Sequence, residues 1–407
     1  MDRRKPAAAH RRFLRFGPAA SVRNGAKLTV VGVLLGGCSS GSTGPGSGAA
    51  ATTATASSPG VQTVMSGLDH PWDVSFFKNG DMLTTQRPGK ITLRTAAGKV
   101  TPVQAPLDDL FVQSEGGLEG LVIDPTTEHT TFYTCQTHQR GGKPIDARVI
   151  RWALSADGRS ARREKAILTG LPVTSGRHSG CRLRFVPGNL LAVATGDAAD
   201  GTNPQDLNSL GGKTLRVGTD GQIPTDNPFY SRGGNARYVT SYGHRNLQGI
   251  AVRPGTTQVW TQEQGSSRDD ETNLLRAGGN YGWDPVPGYD ESVPMTDTVK
   301  FPDAIPARWS SGASTVATCG ITFLEGAAWG RWQGAIAVAE LKNKGVRILS
   351  LDLAGNVIRD ERMSELTQKY GRIRTVQTGP GGSLYVTTDN GDGQDRVLRV
   401  APRAPAA

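Results

Sequence analysis

The stretch Asp73–Thr95, DVSFFKNGDMLTTQRPGKITLRT, decides the fold class. Two runs of strand-forming residues flank Asn79-Gly80, a dipeptide that favours a tight turn between antiparallel strands. A third run of the same kind follows Pro88-Gly89. The stretch therefore predicts a β-hairpin followed by a further strand.

The same pattern recurs along the chain from about Val61 to Val400. Each unit is an apolar strand, a Pro/Gly/Asn turn, a second strand and a polar loop. The ~340 residues divide into about six units, a period typical of propeller blades. We predict an all-β fold, a six-bladed β-propeller of four-stranded blades over residues 61–402. A pair of β-sandwiches is the competing fold, but it would not explain why loops of similar chemistry follow corresponding strands. The recurring units are LRFVPGNLLAVATGD (183–197), GIAVRPGTTQVWTQEQG (249–265), GITFLEG with GAIAVAEL (320–341) and VQTGPGGSLYVTTDNGDGQDRVLRV (376–400).

The first residues of the chain have the features of an export signal. Residues 1–37 carry eight basic side chains and one acid, and end in the short apolar run LTVVGVLLGG. The following Cys38 completes a sequence that resembles the lipobox of bacterial lipoproteins; an ordinary signal peptide with an incidental cysteine is the alternative. We predict a lipoprotein signal peptide over 1–37, then lipidated Cys38 and a flexible Gly/Ser/Ala/Thr tether over 38–60. The protein is then extracytoplasmic and lipid-anchored to the cell membrane, with Sec or Tat export left open.

Charge and cysteine content limit the remaining functions. The formal net charge is +10, but the first 37 residues supply most of it. Without a basic patch interleaved with aromatic residues, we predict no nucleic-acid binding. Cys135, Cys181 and Cys319 allow one disulfide and one thiol, and the sequence leaves the pairing open.

Polar loops that follow corresponding strands of a propeller converge around its axis. One of them, PVTSGRHSGCRLRF (172–185), contains His178, which could be a turn residue, a metal ligand or a proton acceptor. Four segments are dense in chemically functional residue types: SEGGLEGLVIDP (114–125), GRHSGCRLRF to ATGD (176–197), the run from YGHRN to VPGY (242–289), and ELKNKGVRILSL with YGRIRTVQTGPGGSLYVTTDNGDG (340–393).

These segments, in this order, resemble the soluble aldose sugar dehydrogenase family, also called the soluble quinoprotein glucose dehydrogenases. The resemblance covers about residues 61–400. It implies pyrroloquinoline quinone (PQQ) and Ca²⁺ as cofactors and an aldose sugar as substrate. The implied reaction is oxidation at C1 to a lactone, with electrons passed to an external acceptor of unknown identity. The preferred sugar and the oligomeric state do not carry over.

The resemblance also implies catalytic residues. His178, in the H-x-G-x-R loop 178–182, corresponds to the base for the anomeric hydroxyl, a task for which a neutral imidazole is suited. Asp197 corresponds to the aspartate that orients that imidazole, and Glu115 falls near the reactive oxygen of the sugar. Arg245 and Asn246 of GHRN correspond to groups that contact the quinone oxygens, where negative charge develops.

Further cationic and polar residues are implied as PQQ contacts. Arg372 and Arg374 alternate along a predicted strand, which directs both side chains to one face. Guanidinium groups suit planar carboxylates, and PQQ carries three of them. The remaining implied contacts are Lys342 and Thr315.

A calcium site is implied in the loop EQGSSRDD, with the backbone carbonyls of Gly265 and Ser266 as ligands. The acids Asp269, Asp270 and Glu271 are expected to support the loop rather than to bind the ion. Residues 288–314 are expected to form a sugar-specifying loop, while His244 and the NYGW motif (280–283) are expected to be structural.

Two alternative hypotheses remain. The first is a non-catalytic propeller lipoprotein that acts as a surface binding module. Such a protein would have lost the basic residues implied as cofactor contacts, and those residues are present. A calcium-dependent hydrolase would need acidic and Asn side chains around a metal at the axis, and the cationic set disfavours it.

Overall fold

The computed structural model describes residues 60–402, in which the strands form six sheets. The first strands of all six sheets contact one another in a closed ring, so the sheets are blades around a central axis. The prediction of a six-bladed, all-β propeller is confirmed. The signal peptide, Cys38 and most of the tether lie outside the described residues.

Blades 1 to 3 follow one another along the chain, and each runs antiparallel from the axis outwards. Blade 1 consists of Pro71–Phe76, Met82–Gln86, Lys90–Arg94 and Val100–Val103. Blade 2 consists of Leu118–Ile123, Thr131–Arg140, Lys143–Leu154 and Ala161–Leu171. Blade 3 consists of Cys181–Val186, Leu190–Thr195, Lys213–Gly218 and Val239–Tyr242. It carries in addition the two-residue strand Gly279–Asn280, which pairs in parallel with the last of these.

Blades 4 to 6 complete the ring. Blade 4 consists of Leu247–Val252, Val259–Glu263, Glu271–Leu274 and Trp309–Ser310. Blade 5 consists of Thr318–Phe323, Ile336–Glu340, Gly345–Leu351 and Val357–Arg362. Blade 6 consists of Ile373–Thr378, Leu384–Thr388 and Asp395–Val400, with Val61–Leu68 as its outermost strand. Because the first strand of the described chain pairs with the last, the ring is closed by backbone hydrogen bonds.

The Asn79-Gly80 turn forms as the sequence predicts. It joins the first two strands of blade 1, and Gly80 N–H donates to the Phe77 carbonyl. Helical structure within residues 60–402 is confined to the 3₁₀ segments Tyr230–Arg232, Gly234–Tyr238, Ala327–Trp332 and Pro380–Gly382. No helix in the described range is long and apolar enough to span a membrane.

The hydrophobic core lies between the blades. Six buried apolar clusters each join two neighbouring blades, so every blade-to-blade interface has its own core. Between blades 1 and 2, for example, Leu83 packs in one cluster with Phe132 and Trp152. The sheets therefore stabilise one another sideways, and the axis is left to polar side chains.

The cysteine pairing that the sequence leaves open is Cys135 with Cys181, whose Cα atoms are 5.9 Å apart. The bond joins the second strand of blade 2 to the first residue of blade 3. Cys319, in the first strand of blade 5, is a buried free thiol.

Candidate active site

One end of the propeller collects the predicted site residues. The start of a blade's first strand and the end of its second strand lie at the same end because the two strands are antiparallel. Each predicted residue lies just before a blade's first strand, within the first residues of that strand, or just after a blade's second strand. The set comprises Glu115 of blade 2, His178 and Asp197 of blade 3, Arg245, Asn246, Gly265 and Ser266 of blade 4, Thr315 and Lys342 of blade 5, and Arg372 and Arg374 of blade 6.

His178 and Asp197 form a buried pair. The imidazole Nδ1 lies 2.9 Å from Asp197 Oδ1, and the two side chains are 4% and 0% exposed. An ionised carboxylate only accepts, so a neutral imidazole in this pair carries its hydrogen on Nδ1 and keeps the lone pair of Nε2. Nε2 has no hydrogen-bond partner among residues 60–402. The pair can therefore accept a proton at Nε2.

The backbone around this pair is tightly constrained. His178 has a φ of 52°, a left-handed conformation that is uncommon outside glycine. A Cβ on Gly196 would lie 2.0 Å from the His178 carbonyl oxygen, so only glycine fits between the two loops. The Asp197 N–H donates to the Arg245 carbonyl at 2.7 Å, which ties the pair to blade 4.

Two aromatic residues hold Asp197 and were missed as site residues by sequence reasoning. Trp283 Nε1 donates to Asp197 Oδ2 at 2.9 Å, and the Tyr289 hydroxyl donates to the same oxygen at 2.6 Å. The Tyr289 oxygen also lies 2.9 Å from His178 Nδ1. Burial and Asp197 raise the pKa of Tyr289 well above its ordinary value, so it stays a hydrogen-bond donor.

Arg245 is a buried cation with one exposed partner. Its Nη1 donates to the carbonyls of Gln264 and Gly265 at 3.0 and 2.9 Å, and Nη2 donates to Glu291. The guanidinium lies 5.7 Å from the centre of the Trp283 ring. Nε is buried without a hydrogen-bond partner in the described chain. An orphaned buried donor of this kind fits an anionic or carbonyl ligand.

The neighbouring Asn246 belongs to an amide–carboxylate network. Asn246 Nδ2 and Gln248 Nε2 donate to Glu115 Oε2 at 3.0 and 2.9 Å. The side-chain amide oxygen Oε1 of Gln248 accepts from Arg374 Nη1 at 3.3 Å. Glu115 of blade 2 and Arg374 of blade 6 are thereby linked through blade 4.

Arg372 and Arg374 share one carboxylate, that of Asp389, as their alternation along the strand predicts. Arg374 Nη2 donates to Asp389 Oδ2 at 2.7 Å, and Arg372 Nη2 lies 3.4 Å from the same oxygen. His70 Nδ1 lies 2.7 Å from the other oxygen. Burial alone would raise the pKa of Asp389, but Arg374 and the other two partners outweigh it and lower that pKa. The aspartate is ionised and fixes both arginines.

Arg374 is the buried member of the two arginines. It is 4% exposed, and its guanidinium stacks 4.2 Å from the centre of the Trp72 ring. Nη1 lies 3.4 Å from Cys319 Sγ, and Nε is a second buried donor without a partner in the described range. Arg372, in contrast, is 44% exposed and can reach a ligand from the rim.

The loop expected to bind calcium is held by Asp270. This buried carboxylate accepts from the Gly265 N–H at 2.9 Å and from the Thr315 hydroxyl at 2.9 Å. Thr315, implied as a PQQ contact, thus makes its hydrogen bond with the loop. The Gly265 carbonyl, implied as a metal ligand, accepts from Arg245 and keeps one further lone pair. Residues 60–402 contain no cluster of three or more His, Cys, Asp or Glu side chains suited to a metal.

Two other predicted residues differ in environment. Lys342 is exposed, and its ammonium makes no hydrogen bond or ion pair with residues 60–402. His244 is fully buried, with its ring nitrogens 2.9 Å from Glu263 Oε1 and from the Ser241 hydroxyl. Its contacts are structural, as the sequence suggested.

Glu119 is a buried carboxyl that sequence reasoning did not single out. It is 0% exposed, and neither oxygen has a hydrogen-bond partner among the described residues. The Ser179 hydroxyl lies beside it, outside hydrogen-bond geometry. Burial, reinforced by Glu115, raises the pKa of Glu119 to about 8. At neutral pH this side chain is mainly protonated.

Except for Asp389, whose arginine partners belong to the same blade, the residues missed from the sequence have partners on other blades or distant loops. The local sequence does not mark the roles of Gln248, Tyr289, Glu291 and Asp389. Gln248, Trp283, Tyr289 and Asp389 fell within segments rich in functional residue types, and Glu291 lies in the loop 288–314 that was expected to specify the sugar. A polar residue directly after a blade's second strand, as Asp389 is, would have been the usable signal.

This fold and site define a class of protein: a six-bladed β-propeller with a histidine–aspartate pair beside buried arginines at one end of the axis. The chain belongs to the Glucose / Sorbosone dehydrogenase family, whose sequence pattern matches residues 68–399. The resemblance inferred from the sequence motifs is thereby confirmed.

Individual relatives agree with this assignment. The chain is 30% identical over 352 residues to the aldose sugar dehydrogenase YliI of Escherichia coli, covering 84% of this chain and 93% of that protein. It is 27% identical over 258 residues to quinoprotein glucose dehydrogenase B of Acinetobacter calcoaceticus, covering 56% and 53%. The PQQ-bound structure of an aldose sugar dehydrogenase from Streptomyces coelicolor superposes with a TM-score of 0.70 at 27% identity, covering 83% of this chain and 97% of that one.

Proposed function

We propose that the protein oxidises aldose sugars at C1 to lactones, with PQQ as the oxidant, and passes the electrons to an external acceptor. The observation that carries the proposal is the buried His178–Asp197 pair, whose free Nε2 lies at the same end of the axis as Arg245 and Arg374. Membership of a sugar dehydrogenase family and the PQQ-bound Streptomyces coelicolor relative support it.

The residues of the site fit an anionic quinone. Arg245 and Arg374 each keep a buried Nε donor without a partner in the described chain, and Arg372 and Lys342 lie at the rim with exposed charge. Guanidinium forks bind planar carboxylates in two-point contacts. Arg372, Arg374 and Lys342 would hold the carboxylates of PQQ, and Arg245 and Asn246 would face its quinone oxygens.

The chain's own groups then perform the acid–base part of the reaction. His178 Nε2 accepts the proton of the C1 hydroxyl, while Asp197 fixes the tautomer and stabilises the imidazolium that forms. Glu115 accepts hydrogen bonds from Asn246 and Gln248 and can orient the sugar. PQQ, when bound, supplies the two-electron oxidant.

Calcium belongs to the same proposal. Backbone carbonyls such as those of Gly265 and Ser266 are hard donors of the type that Ca²⁺ prefers. Ca²⁺ takes six to eight oxygen ligands, so two carbonyls are too few, and the remainder would come from the cofactor and water.

The test is reconstitution of the full-length protein with PQQ and Ca²⁺. We expect PQQ to change the absorbance spectrum on titration, and a panel of aldoses to reduce an electron-accepting dye. Lack of both binding and turnover would refute the proposal.

His178→Ala separates the base from the binding site. We expect turnover to fall by about 10³-fold or more, because a general base is removed, while PQQ affinity is retained. His129→Ala is the matched control, since His129 pairs with Asp81 in a loop at the opposite end of the propeller. Wild-type-like turnover of His178→Ala would contradict the assignment of the base.

We also propose that the chain is exported and anchored through Cys38, on the strength of the lipobox-like sequence. Cys38→Ala should then release the protein from the membrane fraction and abolish incorporation of a labelled fatty acid. An unchanged distribution and no label in the wild-type protein would refute the anchor.

A further inference from the structure

The loop residues Tyr289 and Glu291 reach into the site from the long connection between Gly279–Asn280 and Trp309–Ser310. Tyr289 is fastened to Asp197 by its hydroxyl, as described above, and its ring meets that of Trp283 edge-on at 6.2 Å. Arg177 lies 5.5 Å from the centre of the Tyr289 ring. These contacts fix where the next residues of the loop lie.

Glu291 bridges two arginines from that position. One carboxylate oxygen, Oε1, accepts from Arg177 Nη2 at 2.6 Å and from Arg245 Nη2. The two cations belong to different loops, one beside His178 and one beside Asn246. Although partial burial opposes its charge, Arg177 and Arg245 lower the pKa of Glu291. The bridge is therefore made by a carboxylate anion.

This carboxylate occupies the accessible end of the Arg245 guanidinium. Nη1 is committed to two backbone carbonyls, and Nε is buried, so Nη2 is the arm that faces the loop. Arg245 is 4% exposed and Glu291 is 37% exposed. Of the two partners, Glu291 is the one that can withdraw into solvent, where its charge is readily hydrated.

An anionic ligand that approaches Arg245 meets this negative charge first. We propose that Glu291 competes with the anionic cofactor for Arg245, so that cofactor binding displaces the Glu291 carboxylate from the guanidinium. The inference rests on the proposed function, because it takes the ligand to be the tricarboxylate PQQ. Glu291 is then a determinant of cofactor affinity that is supplied by the same loop that buttresses the catalytic pair.

The experiment compares PQQ binding by full-length wild-type protein, Glu291→Gln and Asp290→Asn, using absorbance and tryptophan-fluorescence titrations. Glu291→Gln keeps the shape of the side chain and removes its charge. Asp290→Asn removes one charge from the adjacent residue, which is exposed and whose side chain, among residues 60–402, bonds only to Ser292. Thermal unfolding of each variant checks that the fold is intact.

We expect Glu291→Gln to bind PQQ roughly fivefold to tenfold more tightly than the wild type, which corresponds to losing one competing, partly exposed ion pair. Asp290→Asn should change the affinity by less than about twofold, because an exposed charge without a partner at the site is screened. Raising the salt concentration should reduce the difference in PQQ affinity between Glu291→Gln and the wild type.

Two results would overturn the inference. Equal affinity of Glu291→Gln and Asp290→Asn would reduce the effect to overall charge, and weaker binding by Glu291→Gln would make Glu291 a retained contact of the bound cofactor. In both cases the wild type binds PQQ and the proposed function stands. If no variant and no wild-type protein binds PQQ, the proposed function fails and this inference fails with it.

Discussion

His178 illustrates how one residue acquires a chemical role from its surroundings. A loop imidazole is by itself a common turn residue. Here its backbone is held in a left-handed conformation, its Nδ1 is committed to a buried carboxylate, and Nε2 remains free. Strained backbone is maintained only when surrounding contacts over-determine it, and Trp283 and Tyr289 supply those contacts through Asp197.

Glu119 should make the stability of the protein depend on pH. Its pKa is about 8 when folded and about 4.3 in an unfolded chain, so the folded state binds more protons between those values. The contribution of Glu119 to stability is therefore fully present below about pH 4 and is lost as pH rises through about 8. We expect the free energy of unfolding, measured with urea, to fall by on the order of a few kcal/mol over this range because of Glu119.

Glu119→Gln should remove that fall, so that its free energy of unfolding changes less with pH than that of the wild type. Glu128→Gln, which alters an exposed carboxylate of the same blade, should keep the wild-type profile. A Glu119→Gln profile parallel to the wild type would show that the buried carboxyl does not titrate in this range.

The loop behind Asp197 is organised around a buried lysine. Lys213 is 0% exposed, and its ammonium donates to the carbonyls of Asn203, Pro204 and Gly211 at 2.6, 3.0 and 2.7 Å. The side chain thus acts as an internal cation for the connection between the second and third strands of blade 3. Burial lowers the pKa of Lys213 to about 7, so its charge is retained below neutral pH.

Lys213→Met should destabilise the protein by about 3 kcal/mol at pH 6, because three buried carbonyls lose their donor. Urea unfolding measures the change, and turnover should fall as the loop that supports Asp197 loosens. Lys165→Met is the matched control, since Lys165 donates to a single carbonyl at the surface. A loss below about 1 kcal/mol would mean that water replaces the ammonium.

The site exists only because the ring of six blades is closed. Glu115, His178, Arg245 and Arg374 belong to four blades, and their relative positions depend on every blade-to-blade core. The disulfide between Cys135 and Cys181 fixes the interface between blades 2 and 3, and Cys181 follows His178 closely in the sequence.

Replacing both Cys135 and Cys181 by serine should lower the free energy of unfolding by about 2–4 kcal/mol, because the bond closes a long loop. The same loss is expected for wild-type protein under a strong reductant, and the reductant should not affect the double variant further. Equal free energies of unfolding for oxidised and reduced wild-type protein would contradict a stabilising role for the bond.

Local sequence patterns predict the repeating strands, the Asn79-Gly80 hairpin, the propeller class and the residues of the motif loops. These features are local, because strand alternation and turn formation depend on residues within a few positions of one another. The recurrence of such units then implies a ring, and the ring implies that loops at one end meet.

Only the tertiary structure decided which side chains pair. The bonds from Tyr289 to Asp197, from Gln248 to Glu115 and from Arg374 to Asp389 depend on strand register and on how far each loop reaches over the axis. The same holds for the disulfide and for the burial of Glu119. No local pattern encodes these contacts, because each one forms only when separate segments of the chain have been brought together by the packing of the blades.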